Sequence, residues 1–94
     1  MGLRFEWDAR KAARNLTKHA VSFDEASTVF ADSLSLTIPD PDHSDEEERW
    51  VIIGESHRRR GLVVVHTEEK DTVRIISARE TDRHEREKYE EGTS

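Results

Sequence analysis

Between Leu34 and Arg79 the apolar residues come in four short runs, each closed by a polar turn. None is long enough for a core helix, so this half of the chain must form a small sheet. Leu34, Leu36 and Ile38 alternate with Ser35 and Thr37. Pro39-Asp40-Pro41-Asp42 ends that strand, because proline has no ladder donor. His43 to Glu48 is an acidic turn. Trp50-Val51-Ile52-Ile53 and Leu62 to Thr67 are apolar on both sides, as central strands are. Gly54 to Gly61 connects them and carries Arg58-Arg59-Arg60. Glu68 to Asp71 is a polar turn before the last strand, Val73 to Ala78. Strands joined so briefly read as an antiparallel meander. Strict alternation puts Val73, Ile75, Ser77 and Arg79 on one side, with Arg74, Ile76 and Ala78 on the other.

The first half supplies helices. Leu3-Arg4-Phe5-Glu6-Trp7 alternates like a short strand. Asp8 then caps a helix over 9–19, with Lys18 and His19 in its last turn, where cations complement the helix dipole. Ser22-Phe23-Asp24-Glu25 is a capping box with Val21 and Ala26 at the staple positions. Phe23, Ala26, Val29 and Phe30 form the buried stripe behind it. At the other end, 80–91 is a charged helix with Tyr89 as its one apolar residue and Gly92 as a stop. Ser77-Ala78-Arg79-Glu80 has the spacing of a capping box for it, and Asp82/Arg86 and Arg83/Glu87 are i,i+4 pairs. The order is β-α-α-β-β-β-β-α. This is an α+β fold with a sheet of four to five strands, two helices of the N-terminal half on one face, and a C-terminal helix. The uncovered face is where a site is expected.

At 94 residues the chain is one domain, 1–94, with a thin core. It has no cysteine, which excludes disulfides, thiolate zinc sites and cysteine nucleophiles and fits a reducing cytoplasm. No apolar run approaches the ~20 residues of a membrane span. Net charge is −6, which argues against non-specific binding to duplex nucleic acid but leaves room for a local arginine site. Eleven of the fifteen basic residues are Arg, which grips phosphate bidentately.

Three groups could carry chemistry. Arg58, Arg59 and Arg60 with His66, Arg74 and Arg79 form a cationic set; a solvated hairpin tip and a core histidine fit the same residues. Asp40, Asp42, His43 and Asp45 lie close together but match no metal motif, so they read as a solvated acidic turn or a patch for a basic partner, with no metal expected. His19 suits proton transfer or dipole compensation. Trp7 and Trp50 suit core packing better than base stacking.

Phe5-Glu6-Trp7-Asp8, Lys11, Asn15, Lys18-His19 and Val21-Ser22-Phe23-Asp24-Glu25-Ala26 open the chain in order. Val29-Phe30-Ala31-Asp32, Asp42-His43-Ser44, Glu48-Arg49 and Ile53-Gly54-Glu55-Ser56 follow. Arg74-Ile75-Ile76-Ser77-Ala78-Arg79 and Tyr89-Glu90-Glu91-Gly92 close it. The ordered set resembles the BrnT toxin family over nearly the whole chain. Ala20 stands where that family commonly has Gly, and the acidic total departs from the basic surface usual among RNA-cleaving toxins of the wider fold. The resemblance implies a RelE-like fold and a ribonuclease toxin of a bacterial type II toxin–antitoxin pair that arrests translation. It also implies a ribbon-helix-helix antitoxin, BrnA, with operator DNA bound only through the complex.

RNA cleavage through the 2′-OH needs a base, an acid for the 5′ oxygen and cations for the phosphorane. Residue type and expected placement assign Arg79 and Arg60 to the phosphate, and His66 or His19 to proton transfer. Glu48 is a base or orienting carboxylate, and Tyr89 a stacking or positioning group. Lys18, Arg58, Arg59 and Arg74 are the RNA-binding cations. No metal or other cofactor is invoked. The rival reading is a non-catalytic antitoxin-binding module that acts as an operon co-repressor.

Overall fold

The computed structural model describes residues 2–40 and 48–93. The turn expected around Asp42-His43-Ser44 lies outside them. The elements are β1 (Arg4–Glu6), α1 (Ala9–His19), α2 (Phe23–Thr28), a 3₁₀ turn (Val29–Ala31), β2 (Leu36–Pro39), β3 (Trp50–Glu55), β4 (Gly61–Glu69), β5 (Thr72–Glu80) and α3 (Arg83–Thr93). The five strands make one sheet in the order β1-β5-β4-β3-β2.

β2 to β5 form the expected antiparallel meander. β1 departs from it by pairing parallel to β5, Phe5 opposite Val73, so the sheet is mixed. The reason is covalent reach: α1, α2 and three strands separate β1 from its partner, so no hairpin constrains its direction.

Capping sets the helices. Asp8 Oδ1 accepts the amides of Arg10 and Lys11, and Ser22 Oγ accepts that of Glu25. α1 ends in a left-handed residue, Ala20 (φ 58°), whose amide donates to Leu16. The turn that glycine favours is thus kept by alanine, at a cost of about 1 kcal/mol. α3 starts later than its charge pattern suggested, because β5 runs on to Glu80. Its capping box is Asp82/Glu85, not Ser77/Glu80: Glu85 N donates to Asp82 Oδ1 and Asp82 N to Glu85 Oε1. Asp82 is therefore a cap, whereas Arg83–Glu87 is the ion pair expected, at 3.3 Å.

The core lies between the sheet and the α1–α2 pair. Val21, Phe23, Ala26 and Val29 pack on Ile52, Leu62, Val64, Val73, Ile75 and Ala78. Trp7 meets Phe23 edge-on at 6.0 Å, as a core aromatic. Asn15 is buried and joins three segments. Its Nδ2 donates to the carbonyls of Val21 (2.9 Å) and Ala78 (2.8 Å), and its Oδ1 accepts the Ala78 amide at 3.1 Å. β1 covers only Thr72–Arg74 of β5, and Asn15 supplies the missing strand's bonds beyond it.

One bulge decides which side chains share a face. Val65 pairs with Ser77, but His66 pairs with Ile75, leaving Ile76 unpaired. Strict alternation therefore fails along β5. Val73, Ile75 and Ala78 face the core, while Arg74, Ser77 and Arg79 share the opposite face.

Candidate active site

The face away from α1 and α2 holds a groove of about 420 Å³ between the sheet and α3. Its floor is Ile38, Val51, Ile53, Val63, Val65 and Ser77; its polar rim is Asp40, Arg79, His84, Glu85 and Lys88. The floor follows from the period-2 register of β3 and β4, which sends alternate residues to opposite faces. His84, Glu85 and Lys88 are at i, i+1 and i+4 of α3, so one side of the helix overhangs the sheet.

Two contacts seat α3. Arg79 forks onto Glu85, Nη1 to Oε1 at 2.8 Å and Nη2 to Oε2 at 2.6 Å. That pairing holds the Glu85 carboxyl below its usual range and raises Arg79 further. Farther along the helix, Tyr89 donates its hydroxyl to Asp32 Oδ2 at 2.7 Å. Asp32 also accepts the amides of Glu55 (2.8 Å) and Leu34 (2.9 Å). Burial pushes the Asp32 carboxyl up, but these three donors together outweigh it and hold the acid below its ordinary value. The Asp32 carboxylate and partial burial push the Tyr89 phenol up to about 12. Gly54 lets the segment come this close: a Cβ there would stand 2.9 Å from Val29 Cγ1 and 3.0 Å from Asp32 Oδ2.

The other sequence candidates are dispersed. Arg74 lies on the groove's face of the sheet but lower down, beside Glu6, Thr67 and Thr72, and 3.5 Å from Glu6 Oε1. His66 is wholly buried on the core face, its ring edge-on to Phe30 at 4.7 Å and its Nε2 2.8 Å from Glu68. Arg60 holds the buried Glu25 through Nε and Nη2 and donates to the Ala20 carbonyl at 3.0 Å. Ser56 Oγ donates to the same carboxylate at 2.7 Å. Arg58 is exposed, 3.9 Å from Glu25, and Arg59 is exposed at φ 62°. Lys18 is exposed and His19 half-buried at the end of α1, on the helix-covered side. Glu48 is exposed just before β3.

The structure thus places Arg79 in the groove and Tyr89 on its covering helix, and gathers Lys18, His19, Arg58, Arg59 and Arg60 at one end of the other side. His84, Glu85 and Lys88 escaped the sequence reading. Their i, i+1 and i+4 spacing puts them on one side of the helix, and the Arg79–Glu85 pair turns that side to the sheet; the Asp82-x-x-Glu85 spacing was the available signal for where the helix starts. Among the described residues no three His, Asp or Glu side chains converge as a metal site would require. None of the helices found there is long and apolar enough to cross a membrane.

A mixed sheet with a helix pair on one face and, on the other, a groove with an apolar floor and a rim of mixed charge defines a small α+β protein. The family described as ribonuclease toxin, BrnT, of type II toxin–antitoxin system matches residues 7–85, and the chain belongs to that family. Membership of such a family implies an antitoxin partner. Among solved structures the chain is similar to the Brucella abortus ribonuclease toxin BrnT, with a TM-score of 0.63 at 20% identity. The match covers 86% of this chain and 99% of that one, and shows a shared fold. No curated protein matches the chain.

Proposed function

We propose that the chain is a metal-independent endoribonuclease that cuts RNA in the groove beneath α3 and so arrests translation. The observation that carries this reading is the convergence of Arg79, His84 and Lys88 on one groove in a member of a ribonuclease toxin family. Arg79 and Lys88 take the charge that builds on the phosphorane. Arg79 reaches the phosphate by exchanging Glu85 for it, which leaves the Glu85 carboxylate to accept the 2′-OH proton. The 2′ oxygen attacks phosphorus, the P–O5′ bond breaks, and His84 gives the departing oxygen its proton. The products are a 2′,3′-cyclic phosphate and a 5′-OH. Proton transfer falls to His84 rather than to His66, which sits in the core, or His19, which lies across the sheet. Arg74 continues the phosphate path along the same face, and Tyr89 positions α3. A BrnA-like ribbon-helix-helix antitoxin neutralises the enzyme by occupying the groove, and operator DNA is bound only by the complex.

The test is cleavage of RNA by the purified chain in excess EDTA. Cleavage persists in the chelator, and Arg79→Ala lowers it at least a hundredfold. Complete loss in EDTA would sink the metal-free mechanism, and full activity in Arg79→Ala would remove that residue from the site.

The pairing of both Arg79 fork nitrogens with Glu85 favours a second reading, a non-catalytic antitoxin-binding module that co-represses its operon. Expression without the antitoxin separates the two: an enzyme arrests growth, and a module leaves it intact.

A further inference from the structure

We infer that the outer face of α1 is a second contact for the RNA backbone, on the side of the sheet away from the groove. α1 carries Arg10, Lys11, Arg14 and Lys18 and no acidic residue. Its inward row is Ala12, Asn15 and His19, which leaves all four cations exposed. At about 100° per residue they share an arc of about 100°, and from Arg10 to Lys18 the row runs about 12 Å. None of the four is in a salt bridge among the described residues. At its far end, the Arg60–Ala20 bond draws in the β3–β4 turn with Arg58 and Arg59 exposed. In a chain of net charge −6, these two segments gather seven of the fifteen basic side chains, six of them exposed.

The pattern fits a phosphate backbone better than bases. Cations spaced about a helical turn apart match successive phosphates, and the row contains no aromatic side chain on which a base could stack. The acidic remainder of the surface repels RNA elsewhere and so orients an approaching strand. The choice of RNA rests on the ribonuclease reading. An acidic protein segment is the competing occupant. The groove and α1 lie on opposite sides of a body at least 27 Å across. At about one helical turn, ~5.4 Å, per phosphate a trinucleotide spans about 16 Å, too short to touch both.

The experiment is fluorescence anisotropy with labelled 2′-O-methyl RNA, a trinucleotide and an unstructured 30-mer, between 50 and 200 mM salt. The neutralised chain is Arg10→Gln with Lys11→Gln and Arg14→Gln; glutamine keeps the helix propensity. A Lys11→Ala/Arg14→Ala chain is the second variant, and circular dichroism checks both folds. The expected result is at least a tenfold loss of 30-mer affinity and a salt slope shallower by about 2, at about 0.7 per lost contact. Trinucleotide affinity and the cleavage of an unmodified trinucleotide stay unchanged. Equal 30-mer affinity in the unmodified and neutralised chains overturns the proposal, as does a parallel fall for the trinucleotide. Unaltered 30-mer binding with loss of the co-expressed antitoxin would assign the row to a protein partner instead, and also overturns it. If the unmodified chain cuts no RNA yet its 30-mer binding still depends on α1, the ribonuclease reading fails and the α1 contact stands.

Discussion

Tyr89 and Asp32 lie fifty-seven residues apart and share a 2.7 Å hydrogen bond that ties the last helix to the start of β2 and the end of β3. Apart from the Arg79–Glu85 fork the helix has little else to hold it, since its sequence is charged on nearly every side. Tyr89 is the chain's one tyrosine, so its phenol can be titrated by absorbance without interference. Its midpoint falls at about 12, and Asp32→Asn returns it toward the ordinary value of 10.0. The folded value lies above the unfolded one, so this contribution to docking is complete below pH ~10 and fades as pH rises toward 12. A midpoint near 10 in the unmodified chain would show that the contact does not form in solution.

Glu85 is both a competitor for Arg79 and the proposed base, and these roles separate kinetically. Glu85→Gln keeps a capping side chain at the third helical position but removes the charge. A non-cleavable RNA analogue should bind several-fold tighter to this variant, while kcat falls at least a hundredfold. Unchanged kcat would leave the carboxylate with a structural role alone.

The Glu25–Arg60 pair binds the α1–α2 corner to the β3–β4 turn. Arg60 hydrogen bonding depresses the Glu25 carboxyl, outweighing the burial that raises it, and Ser56 lowers it further. A depressed folded value stabilises at and above the usual carboxyl range, and the gain is lost as pH falls through and below it. Arg60→Ala takes the Nε and Nη2 contacts from a buried carboxylate, leaving it the Ser56 hydroxyl and Arg58 at 3.9 Å, and costs about 3 kcal/mol in urea unfolding. Glu25→Gln should remove part of the acid sensitivity seen as pH falls through and below the usual carboxyl range.

Asn15 stands in for a strand at the edge of β5. Asn15→Ala leaves the Val21 carbonyl and both polar groups of Ala78 without these partners, at about 2–3 kcal/mol. Faster hydrogen exchange at the Ala78 amide reports the loss locally; undiminished protection would mean that another group pairs it.

The sequence by itself determined the elements and marked β3 and β4 as central strands, apolar on both sides. Short apolar runs, prolines and the Ser22–Glu25 box act within a few residues, so their effects can be read without knowing the partner. The ordered motifs carried the family resemblance for the same reason, being local strings. What only the tertiary structure decided was long-range. The parallel seat of β1 depends on β5, and the bulge at Ile76 depends on how β4 and β5 settle together. That single extra residue puts Arg74 and Arg79 on one face, which strict alternation denies. Arg60 and His66 looked alike in sequence to any cation or imidazole near a site. Their contacts with Glu25 and with Phe30 and Glu68 arise only when distant segments pack. The groove's His84 and Lys88 turn inward because Asp82 starts α3 and Arg79 holds Glu85, a helix phase set by one pairing across the fold.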